Sequence, residues 1–187
     1  MFEAVKKSIQ SLSSFSDEQL NVFTQRLQPV EVLKNQVLIK EGQICQAAYF
    51  INEGKLRHFI IKDDGTESTL SLFIQHEWVM EHSSFVSQKP SNSIIQATED
   101  CELLMLSIWE IHKLTAISER FFSLGRVMEK ITRHRDFQTN LMSPEEKYEK
   151  LLFTRPELLQ HFPLKYIASY LGMTPETLSR TRKKISS

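Results

Sequence analysis

Apolar residues change their spacing twice along this chain, from helical to strand-like and back. Phe2, Val5 and Ile9 share one helical face. Leu20, Phe23 and Leu27 follow a Ser16–Gln19 capping-box pattern, and Pro29 stops this N-terminal helical region. From Val30 to Leu106 the texture becomes short β-type runs: Val37–Lys40, Ala48–Ile51, Leu56–Ile61, Thr69–Ile74, Ser93–Thr98 and Glu102–Ser107. Glu41-Gly42, Glu53-Gly54 and Asp64-Gly65 separate them, the last a strong hairpin signal because Asp-Gly tolerates positive φ. Strands recurring about every ten residues between glycine turns predict a small antiparallel roll. Glu77–Asn92 interrupts the series, with a helical turn expected over Glu81–Phe85 and a loop through Pro90. A helix that starts inside a roll aims backbone N–H groups inward, a cradle for an anion.

Beyond the roll, Trp109–Leu114 reads as helical and a long helix is expected from about Ser118 to Met142, about 37 Å at 1.5 Å per residue. Phe121, Leu124, Met128 and Ile131 follow the 3-4-3 spacing of a coiled-coil seam, which turns polar at Arg135 and Gln138. The same spacing serves a helix lying on the roll, but a helix this long outruns so small a body, so a dimer seam is expected. Ser143-Pro144-Glu145-Glu146 begins another helix, with Ser as N-cap, Pro at the first position and Glu at the third. The domain boundary is placed at Met142/Ser143, giving domains 1–142 and 143–187.

The last stretch, Phe162–Ile185, has the pattern of a helix-turn-helix. Leu164, Ile167, Ala168 and Leu171 recur at i, i+3, i+4 and i+7. Gly172 can end that helix in the left-handed conformation, Thr174 can cap the next, and Pro175 suits its first position. Leu178 and Ile185 give the second helix a buried stripe. Glu176, Thr177, Ser179, Arg180, Arg182, Lys183 and Lys184 are left outside, a polar surface suited to a DNA major groove. The fold class is therefore α+β: an antiparallel, jelly-roll-like β-roll with flanking helices, a long dimerisation helix and a C-terminal helix-turn-helix.

Charge sharpens this picture. The 187 residues carry 23 Lys+Arg against 23 Asp+Glu, so the whole molecule has no general attraction to nucleic acid. From Phe162 onward, however, Lys165, Arg180, Arg182, Lys183 and Lys184 face only Glu176. Two cysteines, Cys45 and Cys101, cannot alone supply a four-cysteine metal or iron–sulfur site, and no metal or cofactor is expected. The N-terminus lacks the apolar core of a secretory signal and no apolar run is long enough to span a membrane, so a soluble cytoplasmic protein without membrane contact is expected.

Roll, long helix and helix-turn-helix in this order resemble the Crp/Fnr family of bacterial transcription regulators over nearly the whole chain. The sharpest element is Glu176-Thr177-Leu178-Ser179-Arg180, similar to the family's E-x-x-S-R recognition-helix motif. Gly42, Gly54 and Gly65 fall at the family's roll turns, and Ser143–Leu152 resembles the helix opening its DNA-binding domain. The resemblance implies a non-enzymatic, homodimeric regulator of double-stranded DNA, with RNA polymerase as a candidate partner. Glu176, Thr177, Ser179 and Arg180 would face bases, and Lys165, Thr174, Arg182, Lys183 and Lys184 phosphates. Arg180 can donate to guanine O6 and N7, while Glu176 can accept from cytosine N4. Pro175 stands where the family often has a basic residue, and the short Phe153–Pro163 connector implies a reduced wing.

For an effector, the resemblance implies a pocket near Glu81, His82, Ser83, Ser91, Asn92 and Thr132. The family's cyclic-nucleotide cassette has Gly-Glu, a short helix, then Arg followed by Ser or Thr. Glu81 aligns with its ribose-binding Glu, but Met80 replaces the Gly, and Ser91 and Asn92 stand where the Arg and its neighbour belong. A serine hydroxyl cannot replace the guanidinium charge on a cyclic phosphate, so cyclic AMP is expected to bind poorly or not at all, and any small-molecule effector is a different one. Lys89, nearby in sequence, is the one cation placed to compensate. Two other classes share parts of this pattern. A cupin-type enzyme needs a His-x-His metal motif, which His58 on its strand does not complete. A sensory module working through protein partners has no use for the basic Glu/Arg face.

Overall fold

The computed structural model describes residues 1–127 and 142–185. It divides into two compact units, the first holding residues 1–56 and 73–127, the second 57–72 and 142–185. In chain order the elements are α1 (Glu3–Gln10), α2 (Asp17–Thr24), β1 (Gln28–Val32), β2 (Val37–Ile39), β3 (Ala47–Glu53), β4 (Leu56–Ile61), β5 (Glu67–Phe73) and β6 (Trp78–Val79). There follow α3 (His82–Ser87), β7 (Ile94–Ala97), β8 (Cys101–Ser107), α4 (Ile108–Ile117), a 3-10 helix (Glu119–Leu124), α5 (Pro144–Thr154), α6 (Leu158–His161), α7 (Leu164–Tyr170) and α8 (Pro175–Ile185).

The strands order as β1-β8-β3-β6 in one sheet and β2-β7-β4-β5 in the other. β8 runs antiparallel to both β1 and β3, with Leu103 opposite Val30 on one side and Ile51 on the other. All six runs read from the sequence are strands. Two further strands, β1 and β6, escape a local reading. β1 contains Pro29, which marks a helix stop just as well. β6 has only two residues and exists because Trp78 and Val79 pair with Phe50 and Tyr49. Gly54 closes the β3–β4 turn at φ +100°, and a Cβ there would meet Cys101 Sγ at 2.5 Å, so no other residue fits without displacing β8.

Val5, Ile9, Phe23, Phe50, Ile51, Leu104 and Leu106 form part of the first unit's core. Ser16 and Gln19 make the reciprocal capping box expected for α2. The expected long α-helix does not begin as one. Glu119–Leu124 is a 3-10 helix, in which residues three apart eclipse, so Phe121 and Leu124 project along one line. Both are buried within this chain, Phe121 completely, its ring 5.3 Å from that of Phe15. Arg120 and Arg126 donate to the carbonyls of Ser14 and Leu12 at 2.6 and 2.8 Å, fastening the stretch to the N-terminal helices. The seam role expected of Phe121 and Leu124 gives way to core packing, because their apolar surface is already spent inside the chain. Met128 and Ile131, with most of the expected helix over 118–142, lie outside the described residues.

In the second unit, α5 opens with the Ser143 capping box: Ser143 N–H donates to Glu146 at 2.7 Å and Glu146 N–H to Ser143 Oγ at 3.3 Å. Lys184 on α8 bridges back to Glu145 on α5 at 3.0 Å. The boundary expected at Met142/Ser143 places residues 57–72 with the roll, but by packing this β4–β5 hairpin belongs with the helices of the second unit. Among residues 142–185 no strand occurs, and α6 occupies the connector where the wing was expected to be reduced.

Phe121→Ala should lower the first unit's stability by about 3–5 kcal/mol in urea denaturation, as a fully buried ring does when truncated. The Ser143 hydrogen bonds, backbone first, hold the Glu146 carboxyl below its ordinary value, and the Lys184 hydrogen bond does the same for Glu145. Both carboxyls are depressed on folding, so their contribution is present above the unfolded value of about 4.3 and is lost as pH falls through the folded values. Melting of the second unit should therefore be flat from pH 7 to 5 and decline below about pH 4, and Glu146→Gln should flatten part of that decline.

Candidate nucleic-acid interface

The turn between α7 and α8 is built by two backbone hydrogen bonds. Met173 N–H donates to Ala168 C=O at 3.0 Å and Gly172 N–H to Ser169 C=O at 3.1 Å. Together they are a Schellman motif, which needs a left-handed residue, and Gly172 supplies it at φ +67°. The buried Lys147 lies beneath, its Nζ 3.6 Å from where a Cβ on Gly172 would stand. Thr174 then caps α8, its hydroxyl accepting from Thr177 N–H at 3.2 Å and lying 3.2 Å from the Thr177 hydroxyl.

Packing sorts the faces. Ile167, Ala168 and Leu171 are fully buried, as is Leu178 across the turn, and Thr181 joins it. Leu164, expected on the same stripe, is instead 43% exposed, at the first position of α7. On α8, Glu176, Ser179, Arg180 and Lys183 fall at i, i+3, i+4 and i+7 on the side opposite Leu178 and Thr181, and all four are exposed. Arg180 Nε reaches back to Glu176 C=O at 3.5 Å. The Glu176 carboxyl is held below its ordinary value by its own backbone N–H, then by the Thr174 hydroxyl, with Arg180 adding attraction. It is thus a ready acceptor at neutral pH. Among the expected phosphate contacts, Lys165 is exposed with Nζ 5.0 Å from the Tyr166 ring centre, and Arg182 is half-buried. Lys184 is committed to Glu145, which any phosphate would have to displace.

Among the described residues expected around an effector, the buried ones bond to their own chain and the others are exposed or half-buried. Glu81 is buried and caps α3, its carboxylate accepting from Ser84 N–H at 2.5 Å. The anion cradle expected at this helix start is thus filled by the chain's own carboxylate. Ser84, which no sequence signal marked, ties the region together: its hydroxyl accepts from Cys45 N–H at 2.9 Å and donates to Lys89 C=O at 2.5 Å. Burial pushes the Cys45 thiol above its ordinary value, keeping it neutral. Ser91 is buried with its hydroxyl turned to Ser93 C=O at 2.9 Å and accepting from Ser93 N–H at 3.0 Å. Ser83, Lys89 and Asn92 are exposed and His82 is half-buried. Thr132 lies outside the described residues. A separate cavity of about 250 Å³ is lined by Trp78, Met80, Leu106, Phe121, Leu124 and Val127, among others, and is almost wholly apolar.

Residues 29–117 match the model of the cyclic nucleotide-binding domain family. Over 175 residues the chain is 28% identical to the Cyclic AMP receptor protein of Thermus thermophilus, covering 88% of this chain and 77% of that one. Among solved structures, the Catabolite Activator Protein of Thermus thermophilus superposes with a TM-score of 0.59 at 22% identity, covering 94% of this chain and 85% of its own. FixK2 of Bradyrhizobium japonicum gives 0.70 at 15%, over 86% and 84%. No helix among the described residues is long and apolar enough to cross a membrane. Residues 29–117 are thus similar to the cyclic nucleotide-binding domain family, and the described chain has the fold of the Crp/Fnr family regulators.

Proposed function

We propose that this protein is a homodimeric, DNA-binding transcription regulator of Crp/Fnr type that does not take cyclic AMP in the usual way. The observation that carries the reading is the exposed row Glu176, Ser179, Arg180 and Lys183 on a capped helix whose other face is buried. A helix so held can lie in a major groove, with Arg180 donating to guanine and Glu176 accepting from cytosine. Thr177 and Ser179 complete the base-facing set. Lys165, Thr174, Arg182 and Lys183 sit where backbone phosphates would flank it, and Lys184 joins them once it leaves Glu145.

On the input side, the relative named for cyclic AMP invites comparison, and the cassette of this chain does not fit that ligand. Ser91 stands where a guanidinium would meet the phosphate, a charge-assisted bond of about 1.5–3 kcal/mol. The buried acceptors and donors at Glu81, Ser84 and Ser91 already serve the chain's own backbone. A nucleotide would have to break these bonds before making its own.

Selection of duplexes from a random pool, followed by fluorescence anisotropy at several salt concentrations, tests the reading. Arg180→Ala should cost about 1–3 kcal/mol at one base pair, whereas Lys183→Ala should weaken all sequences alike and reduce the salt slope by about 1. Equal losses on selected and unrelated DNA for Arg180→Ala would remove the base-reading role. Calorimetric titration with cyclic AMP should show no saturable heat, and a micromolar Kd would overturn the account of the cassette.

A further inference from the structure

The β4–β5 hairpin packs within the second unit through contacts that no sequence pattern announced. Arg57 is 2% exposed. Its guanidinium lies over two rings, 4.4 Å from the centre of Phe59 on its own hairpin and 4.3 Å from that of Tyr166 on α7. Nε donates to Thr69 Oγ1 at 2.9 Å, and Nη1 pairs with Glu67. A desolvated guanidinium between ring faces gains a cation–π attraction that a solvated lysine would not match.

A second contact runs through the backbone. β5 ends its sheet order, and an edge strand turns a row of N–H and C=O groups outward. The Ser169 hydroxyl on α7 accepts from Thr69 N–H at 2.8 Å and donates to Glu67 C=O at 3.4 Å. Arg155, the buried residue that ends α5, donates to Leu72 C=O at 3.0 Å. The hairpin is thus held at both ends of β5.

Tyr166 and Ser169 are three apart on α7 and share one face. Ile167, Ala168 and Leu171 bury elsewhere, and the Schellman turn at Gly172 couples α7 to α8. α7 is therefore held by the hairpin on one side and carries the reading helix beyond its end. We propose that Arg57 and Ser169 are positioning residues for DNA reading, holding α7 against the β4–β5 hairpin so that α8 presents Glu176 and Arg180 in one orientation. This inference rests on the DNA-reading proposal above. It adds that a segment 100 residues upstream in sequence is part of the reading body.

The test uses the full chain, a labelled duplex selected by the wild-type protein from a random pool, and an unrelated duplex. Ser169→Ala should accelerate amide exchange of Thr69 in the free protein by about 3–10-fold, as expected for losing one hydrogen bond. It should also weaken the selected duplex at least about 5-fold while changing the unrelated duplex by less than about 2-fold, because orientation governs base contacts more than phosphate contacts. Ser169→Thr, which keeps the hydroxyl, should restore both readouts, and Arg57→Lys should act in the same direction as Ser169→Ala. Faster exchange with unchanged discrimination would overturn the positioning role and leave DNA reading intact. Unchanged exchange would overturn the contact itself. Failure of the wild-type protein to select any duplex would instead remove the DNA-reading proposal, and this inference with it.

Discussion

The left-handed backbone at Gly172 is the constraint on which the α7–α8 pair depends. A Schellman turn closes only if one residue takes positive φ, and here that closure fixes the angle at which α8 leaves α7. Given that angle, Leu178 and Thr181 are buried, as are Ile167 and Ala168, while Glu176, Ser179, Arg180 and Lys183 are left on the outside. The polar face is a consequence of the turn and of one apolar stripe. Thr174 and Pro175 then begin the helix without an unsatisfied end.

Around α3 the polar groups turn inward instead. Glu81, Ser84, Ser91 and Ser93 are all buried, and each is engaged by neighbouring backbone. Buried polar groups must be satisfied, and where no ligand arginine exists the loop satisfies itself. An apolar cavity lies elsewhere, beside Trp78 and Phe121.

Much of the architecture was legible because it rests on local signals. Both capping boxes, the glycine turns, the six strands other than β1 and β6 and the two helices of the helix-turn-helix follow from residues within a few positions of one another. The readings that failed share a cause. Phe121 and Leu124 carry a spacing that serves a seam or a core equally, and only the presence of Phe15 and the N-terminal helices decides for the core. β6 is strand only because β3 is there to pair with it. For Glu81 a ligand contact and a plain acid read alike along the chain, and only the fold shows its carboxylate capping its own helix.

By itself, then, the sequence determined the order of elements, the turn that shapes the helical pair, and the absence of a guanidinium at the cassette. These depend on backbone propensity and on residue identity, which are properties of short stretches. Only the tertiary structure decided where burial falls: that Leu164 stays half in solvent, that Lys184 is held by Glu145, and that Arg57 and Ser169 join a hairpin to a helix about a hundred residues away. Such contacts pair groups that are unremarkable where they stand in the chain. Which of them meet, and how far each is shielded from water, is set by the fold as a whole.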